Sequence, residues 1–458
     1  MLTTEYTEVT ESEAIGSPLL RALCGYLLLV CAHVSAAQQI VVPVEGAAFS
    51  GELLSVGADG RVVFRVVEPK GTVAEATVPS KSDDRAQTRT LQLDELARWG
   101  HPVSPKAQTI VVLGDGGRIV TAPDWSGGAA VRIDGEAVVV RGEVFGEVRV
   151  PRERVRGIVF AQRSHVEERE KLMERVRREP SPGRSQQGRG NENDFVLLTN
   201  GDRLEGKLTG FSGGSLTIET NAGAAKLPLS RVEVVGLADG RENSAVNQTK
   251  PSPSHSLQWT GKIVVGTRDG SLIYAEAVRA GEDELVVEAG DGLQLIGGSV
   301  DDVVALQSLG GHFVYLSDME PAEYRHVPYL SIEWRYERDR NVAGGPLVVG
   351  GKRYLKGIGM HSAGRLTYRL NGQYRRFDTS VAIDDSARGG GSATFGVYVM
   401  RNGKLHEAFK SSVLRGGELP TPVSVDVSGA QGLVLTVDYA DRGDELDHAD
   451  WLDARLVK

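Results

Sequence analysis

The stretch VYVMRNGKLHEAF, residues 397–409, carries the strongest local fold signal in the sequence. Apolar side chains alternate with polar ones on both sides of Asn402-Gly403. Alternation with a period of two is typical of a strand with one face on a core. Asn-Gly favours the two-residue turn of a β-hairpin, because both turn positions need positive φ. The stretch therefore predicts a β-hairpin with one buried face.

The surroundings of this hairpin are also typical of β-structure. Aromatic residues become dense from Phe313 onward, and SVDVSGAQGLVLTVDYA, residues 424–440, predicts another strand pair. We therefore interpret residues 311–458 as one β-sandwich. Trp451 lies on the predicted last strand, where alternation favours burial in the core over contact with a ligand.

Four segments before residue 311 share a second pattern, in which an apolar strand, a Gly, Asp or Asn turn and another strand follow one another. They contain FSGELLSVGADGRVVFRV (49–66), VVLGDGGRIV (111–120), VLLTNGDRLEGKL (196–208) and IVVGTRDGSLIYAEA (263–277). Closely spaced turn signals and a recurring period predict a tandem array of small antiparallel β-barrels. We interpret the segments as SH3-like β-modules 1 to 4, with a single irregular β domain as the alternative. Their predicted bounds are 38–107, 108–162, 193–240 and 259–309.

Two stretches between the modules have compositions that favour spacers. Residues 163–192 begin with a charged, helix-favouring run and continue into a Pro-, Gly- and Ser-containing linker. Residues 241–258 are rich in polar residues, proline and serine. Such compositions cannot bury a core, so we expect both stretches to connect folded modules.

The N-terminus, residues 1–37, predicts a secretory signal peptide. An apolar run follows Arg21, and Val34-Ser35-Ala36 supplies a small-residue cleavage site. Both cysteines, Cys24 and Cys31, lie in this segment, so we expect a mature chain without disulfides. We therefore expect a protein that is secreted or held in the periplasm or cell envelope of a bacterium. No transmembrane span is expected after cleavage.

The sequence gives little support for nucleic-acid binding or catalysis. The formal net charge of −9 opposes contact with a phosphate backbone. Residues 210–214 match G-x-S-x-G, but a predicted strand follows where a hydrolase elbow needs a helix. Zinc-protease, phosphate-loop and dinucleotide-binding motifs are missing from the sequence. We therefore expect a non-catalytic protein without a nucleic-acid partner.

Residues 314–456 resemble the NPCBM domain family of carbohydrate-binding modules. The resemblance is carried by VYLSDMEP (314–321), GGKRYLKGIGMHSAGRLTYRL (350–370), GQYRRFDTSVAIDD (372–385) and DHADWLDARL (447–456). It covers about a third of the chain and implies a galactose-binding-like jelly-roll β-sandwich. The predicted fold class is thus all-β, with tandem small SH3-like β-barrels followed by this C-terminal sandwich. For some members the resemblance also implies a galactose-type ligand and a bound calcium ion.

Five residues of this region are candidate ligands for a sugar: Trp334, Arg338, His361, Asp384 and Asp385. An aromatic face suits the apolar side of a pyranose, while carboxylate, guanidinium and imidazole groups hydrogen-bond to hydroxyls. The alternative for His361 is a structural hydrogen bond that ties a loop to a strand. For Trp334, core burial and sugar stacking are both open.

Aspartates recur at every third position from residue 438 to residue 453. The predicted last strand begins near His448, so only Asp441, Asp444 and Asp447 share the preceding loop. Calcium binds six to eight oxygen ligands. Together with Asp339 from an earlier loop, these three form a candidate calcium site. The alternatives are a solvated acidic loop and direct contact with the sugar.

The last predicted strand contains two further aspartates, Asp450 and Asp453. Alternation groups Asp453 with Trp451 and Arg455 on one face and Asp450 with the opposite face. We expect both carboxylates to accept backbone N–H groups.

These observations predict an exported, non-catalytic protein whose C-terminal sandwich binds a galactose-type glycan or glycoconjugate. The β-modules would act as spacers or adhesion units. The alternatives are a structural envelope component that binds envelope proteins, and an accessory subunit of a glycoside hydrolase.

Overall fold

The computed structural model of the chain describes residues 39–67, 87–106, 108–123, 130–160, 166–178, 193–212, 214–238 and 262–458. The predicted signal peptide and the predicted linker at 241–258 lie outside these ranges. Strands predominate throughout the described residues, as the all-β prediction requires.

The strands before residue 310 are named by segment. The first segment contains β1 (Gln39–Pro43), β2 (Phe49–Val56), β3 (Arg61–Val66), β4 (Thr88–Gln92) and β5 (Leu96–Gly100). The second contains β6 (Ile110–Leu113), β7 (Arg118–Val120), β8 (Val131–Asp134), β9 (Ala137–Arg141), β10 (Glu147–Pro151) and β11 (Val155–Val159). The third contains β12 (Asp194–Leu198), β13 (Arg203–Ser212), β14 (Ser215–Thr220), β15 (Gly223–Pro228) and β16 (Val232–Gly236). The fourth contains β17 (Ile263–Thr267), β18 (Leu272–Ala275), β19 (Ala277–Ala280), β20 (Leu285–Glu288), β21 (Gln294–Ile296) and β22 (Val303–Ser308).

The four segments repeat one pairing scheme. In each, the first strand pairs antiparallel with the last strand, as β1 does with β5 and β17 with β22. A short 3-10 turn precedes each last strand, and one register shift interrupts each of these four ladders. The SH3-like character of the segments stays a prediction.

Strands of different segments also pair with one another. The last strands β5 and β22 join segments one and four, and β11 and β16 join segments two and three. Bridges between β7 and β18 and between β2 and β19 add further links. One hydrophobic core contains side chains from all four segments, such as Val41, Ile158, Val196 and Val265. The segments therefore form one sheet system with a shared core.

One α-helix, α1 (Val166–Arg178), lies in the described part of the segment that was predicted to be a spacer. Its Met173 and Val176 are buried against apolar side chains of β6, β7, β11, β12 and β16. The helical prediction is confirmed, but the prediction of a spacer is wrong for these residues. Within the described ranges, no helix has the length and apolar character needed to cross a membrane.

Residues 313–458 form a β-sandwich. Its strands are β23 (Phe313–Tyr315), β24 (Glu323–His326), β25 (Glu337–Arg338), β26 (Leu347–Val349), β27 (Lys352–Tyr354), β28 (Gly357–Met360), β29 (Gly364–Arg369), β30 (Arg376–Ile383), β31 (Ser392–Arg401), β32 (Lys404–Lys410), β33 (Leu414–Arg415), β34 (Thr421–Asp426), β35 (Gly432–Tyr439) and β36 (Ala449–Val457). One sheet has the order β25-β28-β36-β30-β34, with β23 also on β36, and the other has the order β24-β29-β35-β31-β32, with β33 also on β31. Their inner faces enclose a single core that includes Trp451, as predicted.

The hairpin predicted at residues 397–409 is confirmed by the pairing of β31 with β32, but its buried face is limited to β31, because β32 is exposed apart from the half-buried Phe409. Asn402 and Gly403 have φ values of 51° and 70°, as the two-residue turn requires. The strand pair predicted at residues 424–440 is wrong as a pair, because β34 lies on β30 and β35 lies on β29 and β31. Val427 and Ala430 are buried between them, so this connection crosses the end of the core from one sheet to the other.

Substitution of Gly403 by alanine tests the turn. A Cβ at this position meets no atom within 4 Å, so the expected cost is conformational and amounts to about 1–2 kcal/mol of unfolding free energy. Gly281→Ala is the control, since its Cβ also meets open space and its φ lies outside the left-handed region. Urea denaturation measures both variants, and equal stability losses would contradict the strained turn.

The last strand departs from simple alternation at Asp453. This residue has a φ of 49°, and the ladder with β30 changes register between Asp378 and Ser380, opposite this position. The bulge places Ala454 on the core face together with Trp451, whereas Asp453 points away from that core. The predicted grouping of Asp453 with Trp451 is therefore wrong.

Asp453 lies at a buried junction between the sandwich and the first segments. Its carboxylate accepts the Arg98 Nε–H at 2.8 Å and the Gln307 Nε2–H at 3.1 Å, instead of the backbone groups that were predicted. Arg98 also donates to His101 Nε2 at 2.9 Å, and the His101 Nδ1–H donates to the carbonyl of Arg353 at 3.0 Å. Burial and the Arg98 charge lower the pKa of His101 to about 3, so its ring is neutral.

Further contacts fix the sandwich against the segments. An apolar cluster joins Val44 and Ala97 to Phe313, Tyr315 and Val457 of the sandwich. Helix α1 adds ion pairs from Glu170 to Arg353 and from Glu174 to Arg340. The sandwich is therefore packed on the array through both apolar and charged contacts.

Candidate functional site

Three histidines and one tryptophan meet at one end of the sandwich. His326 ends β24, Trp334 lies between β24 and β25, His361 lies between β28 and β29, and His448 precedes β36. The pairs β24–β29 and β28–β36 bring these chain segments together. The His361 ring centroid lies 4.6 Å from Trp334, 6.1 Å from His326 and 6.2 Å from His448.

Trp334 and His361 form the centre of this ring cluster. Their planes differ by 3°, so the imidazole is stacked on one face of the indole. His361 is buried, whereas Trp334 is half-buried and presents part of its ring at the surface. The stack fixes the indole orientation, and a fixed aromatic surface is suited to the apolar face of a pyranose.

The hydrogen bonds around the Ser362 carbonyl define the histidine tautomers. The backbone N–H of Trp334 donates to His326 Nδ1 at 3.3 Å, so His326 donates through Nε2 to the Ser362 oxygen at 3.0 Å. His361 Nδ1 lies 3.1 Å from the same oxygen and must also carry its proton. His361 Nε2 is therefore the acceptor nitrogen of its ring.

Burial lowers the pKa of His361, although its hydrogen bond to Ser362 opposes the shift. Burial also lowers the pKa of His448, with the Asp384 carboxylate acting in the opposite sense. Both imidazoles are therefore neutral at neutral pH. Because His361 Nδ1 donates to the Ser362 carbonyl and His448 Nδ1 lies 2.8 Å from the Ser386 hydroxyl, the Nε2 atom of each ring is the one left for a sugar hydroxyl.

Asp444 supplies a carboxylate beside this ring cluster. It is half-buried, its backbone carbonyl accepts the Asp447 N–H at 3.5 Å, and its charge acts to raise the pKa of His361. Its side chain makes no hydrogen bond or ion pair with another described residue. It is therefore available as an acceptor for a ligand hydroxyl.

Asp447, three residues later, is already engaged. Its oxygens accept the Ser362 hydroxyl at 2.6 Å and the Ser392 backbone N–H at 2.8 Å. Burial raises the pKa of Asp447, and these two hydrogen bonds oppose the shift. Asp447 thus positions the Ser362 segment, to which both His326 and His361 donate.

The four predicted calcium ligands do not converge. The Asp339 carboxylate lies 2.7 Å from the buried ammonium of Lys356, and the Asp441 carboxylate lies 2.8 Å from a nitrogen of Arg415. Among the described residues, no group of three or more His, Cys, Asp or Glu side chains is placed to hold a metal ion. Calcium binding itself stays a prediction without an assembled site.

Asp384 and Asp385 stabilise loops beneath the ring cluster. Asp384 is buried and accepts the Asn341 side-chain amide and the Val348 backbone N–H, each at 2.8 Å. Asp385 accepts the backbone N–H groups of residues 350 and 351 at 3.0 Å and 2.8 Å. Both predicted sugar ligands therefore have their carboxylates engaged by the protein.

Arg338 lies on β25, forms an ion pair with Glu320 at 2.5 Å and stands over the Tyr336 ring. The structure thus brings together Trp334, His361 and Asp444 from the predicted set, and adds His326 and His448. Sequence reasoning missed these two histidines. The signal for His448 was its place at the predicted boundary of the last strand.

Asp450 lies buried next to Asp384, and its two carboxylate oxygens have no hydrogen-bond partner among the described residues. The prediction that it accepts backbone N–H groups is wrong. Burial first, and then the Asp384 charge, raise the pKa of Asp450 well above its ordinary value. A protonated Asp450 that donates to Asp384 satisfies this arrangement.

Asp450→Asn is expected to stabilise the protein at neutral pH by about 1–3 kcal/mol, since an amide can donate to Asp384 without needing a proton. Because the folded pKa of Asp450 is raised, the stability from its bound proton is full below the ordinary pKa of 3.8. That stability is lost as the pH rises through the raised pKa of Asp450 in the folded protein. The advantage of Asn should therefore shrink towards acidic pH. Urea denaturation across this range measures it, and a pH-independent difference would contradict the shared proton.

Residues 312–457 match the NPCBM/NEW2 domain family, which confirms the resemblance inferred for this region. Alpha-1,3-galactosidase B of Akkermansia muciniphila is 34% identical over 119 residues, which are 25% of this chain and 14% of that protein. The "Putative endo-alpha-N-acetylgalactosaminidase" of Renibacterium salmoninarum is 30% identical over 114 residues, which are 25% of this chain. The matched residues span 7% of the length of the second relative.

One similar solved structure is that of CBM51 from Clostridium perfringens GH95 in complex with methyl-galactose. It is 26% identical, covers 32% of this chain and 99% of that chain, and has a TM-score of 0.28.

Proposed function

We propose that the C-terminal sandwich binds a galactose-type sugar of a glycan or glycoconjugate without cleaving it. The observation that carries the proposal is the half-buried Trp334 ring stacked on the buried His361, with His448 and the Asp444 carboxylate in the same part of the sandwich. An aromatic platform with convergent polar groups is the usual composition of a small-ligand site.

The chemistry of these side chains supports this assignment. The indole covers the apolar side of the pyranose, and the neutral imidazoles and Asp444 bind its hydroxyls. The names of both curated relatives refer to galacto-configured substrates. Export to the cell surface, as predicted from residues 1–37, is part of this proposal.

Isothermal titration calorimetry of the full chain with methyl-galactoside tests the proposal. Trp334→Ala is expected to weaken binding at least about tenfold, since removal of a stacking platform costs on the order of 1.4 kcal/mol or more. Asp444→Asn should also weaken binding. Asp441→Asn is the matched control, because this acid pairs with Arg415.

Titrations with and without calcium should give the same affinity if the sugar contacts come from these side chains alone. If binding required calcium, that result would instead support a metal site that involves Asp444. Failure of galactose and of other terminal hexoses to bind under both conditions would overturn the proposal.

A further inference from the structure

The loop between β24 and β25 exposes an unusual amount of apolar surface. The exposed fractions of its large side chains are 50% for Val327, 58% for Tyr329, 83% for Leu330 and 66% for Ile332. Single exposed apolar residues are common on protein surfaces, but a contiguous group marks an interaction site. We call residues 327–332 the apolar loop.

The apolar loop is held against the candidate sugar site. The Tyr439 hydroxyl donates to the Val327 carbonyl at 2.9 Å, and the Tyr329 ring packs edge-on against Tyr439 with a centroid distance of 5.6 Å. His326 precedes the loop and Trp334 follows it closely, and both rings belong to the ring cluster. A ligand in the site would therefore lie beside the loop.

Charged side chains flank the loop at its base. Arg325 and Arg335 are exposed, as are Glu323 and Glu333. A long arginine side chain can place its charge among lipid head groups while its stem remains near apolar surface. The loop thus has an apolar tip and a charged base, a polarity that matches the boundary between acyl chains and head groups.

We propose that the apolar loop inserts into a lipid surface, so that the natural ligand of the site is the head group of a membrane-embedded glycolipid. This rests on the proposed sugar-binding function. A stable protein partner would need a complementary surface of about 800 Å² on each side, far more than four loop side chains provide. A lipid surface accepts an apolar tip without shape complementarity.

Vesicle flotation with the full chain tests the proposal. The vesicles contain phosphatidylcholine alone or phosphatidylcholine with galactosyl-diacylglycerol, and methyl-galactoside is titrated separately. We expect the apparent affinity for galactolipid vesicles to exceed that for the soluble sugar at least about tenfold, because the inserted loop adds apolar burial.

The double variant Leu330→Ser/Ile332→Ser should lose this tenfold advantage and keep the wild-type affinity for methyl-galactoside. Leu419→Ser is the matched control, because Leu419 is 80% exposed on the same sandwich and lies outside the loop. A Tyr329→Trp variant reports insertion by a blue shift of its fluorescence on galactolipid vesicles.

The outcomes separate the two proposals. Equal vesicle binding by wild type and the double variant, with no blue shift, would overturn insertion even if the soluble sugar binds. Absence of soluble-sugar binding, combined with loop-dependent binding to plain phosphatidylcholine, would overturn the sugar function and the glycolipid ligand while retaining lipid insertion.

Discussion

Asp453→Ala is expected to lower the free energy of unfolding by about 3–5 kcal/mol, the range for removing one partner of a buried ion pair. The substitution leaves the Arg98 guanidinium buried without its carboxylate and removes the acceptor of the Gln307 amide. Both groups belong to the segments before residue 310, so the loss falls on the junction with the sandwich. Calorimetry should show unfolding at a lower temperature and in two separate transitions, one for the segments before residue 310 and one for the sandwich.

Glu284→Ala is the control for this effect. Glu284 pairs with Arg279 at 3.9 Å, and both side chains are largely exposed. Such pairs contribute less than about 1 kcal/mol. A loss for Asp453→Ala no larger than that of the control would show that the junction contributes little to stability.

Asp447→Ala is expected to cause the second largest loss of unfolding free energy among these substitutions. It leaves the buried Ser362 hydroxyl and Ser392 N–H without an acceptor, at about 1–3 kcal/mol for each group. Because His326 and His361 both donate to the Ser362 carbonyl, the histidine orientations should loosen as well. We therefore expect weaker sugar binding even at temperatures where the variant stays folded.

Asp441→Ala separates this role from a general effect of acidic charge. Asp441 lies in the same loop and was part of the same predicted calcium set, but its ion pair with Arg415 is about half exposed. We expect a loss below about 1 kcal/mol. Chemical denaturation and methyl-galactoside titration compare the two variants. Similar losses in both would contradict the positioning role of Asp447.

The features that sequence reasoning predicted correctly are local ones. The turn at Asn402-Gly403 depends on two adjacent residues whose backbone preference is strong. The burial of Trp451 follows from its place in a strand, and α1 follows from a helix-favouring composition. Each of these signals lies within a short stretch of chain.

The errors arose where distant parts of the chain meet. No local pattern indicates the bulge at Asp453, which turns its carboxylate towards Arg98. Lys356 could not be placed between Asp318 and Asp339 without knowing how the loops fold back, and its ammonium engages Asp339, one of the four predicted calcium ligands. Asp450 next to Asp384 is another contact that only the pairing of β30 with β36 creates.

The pairing of β5 with β22 has a consequence for how the chain acquires its structure. During synthesis β5 is complete long before β22 exists, so its hydrogen-bonding edge stays open in the interval. An unpaired strand edge can pair with strands of other chains. Pairing between strands that lie so far apart in the sequence also slows folding. A chain truncated before residue 262 would keep that edge permanently, and self-association through it is the expected fate of the fragment.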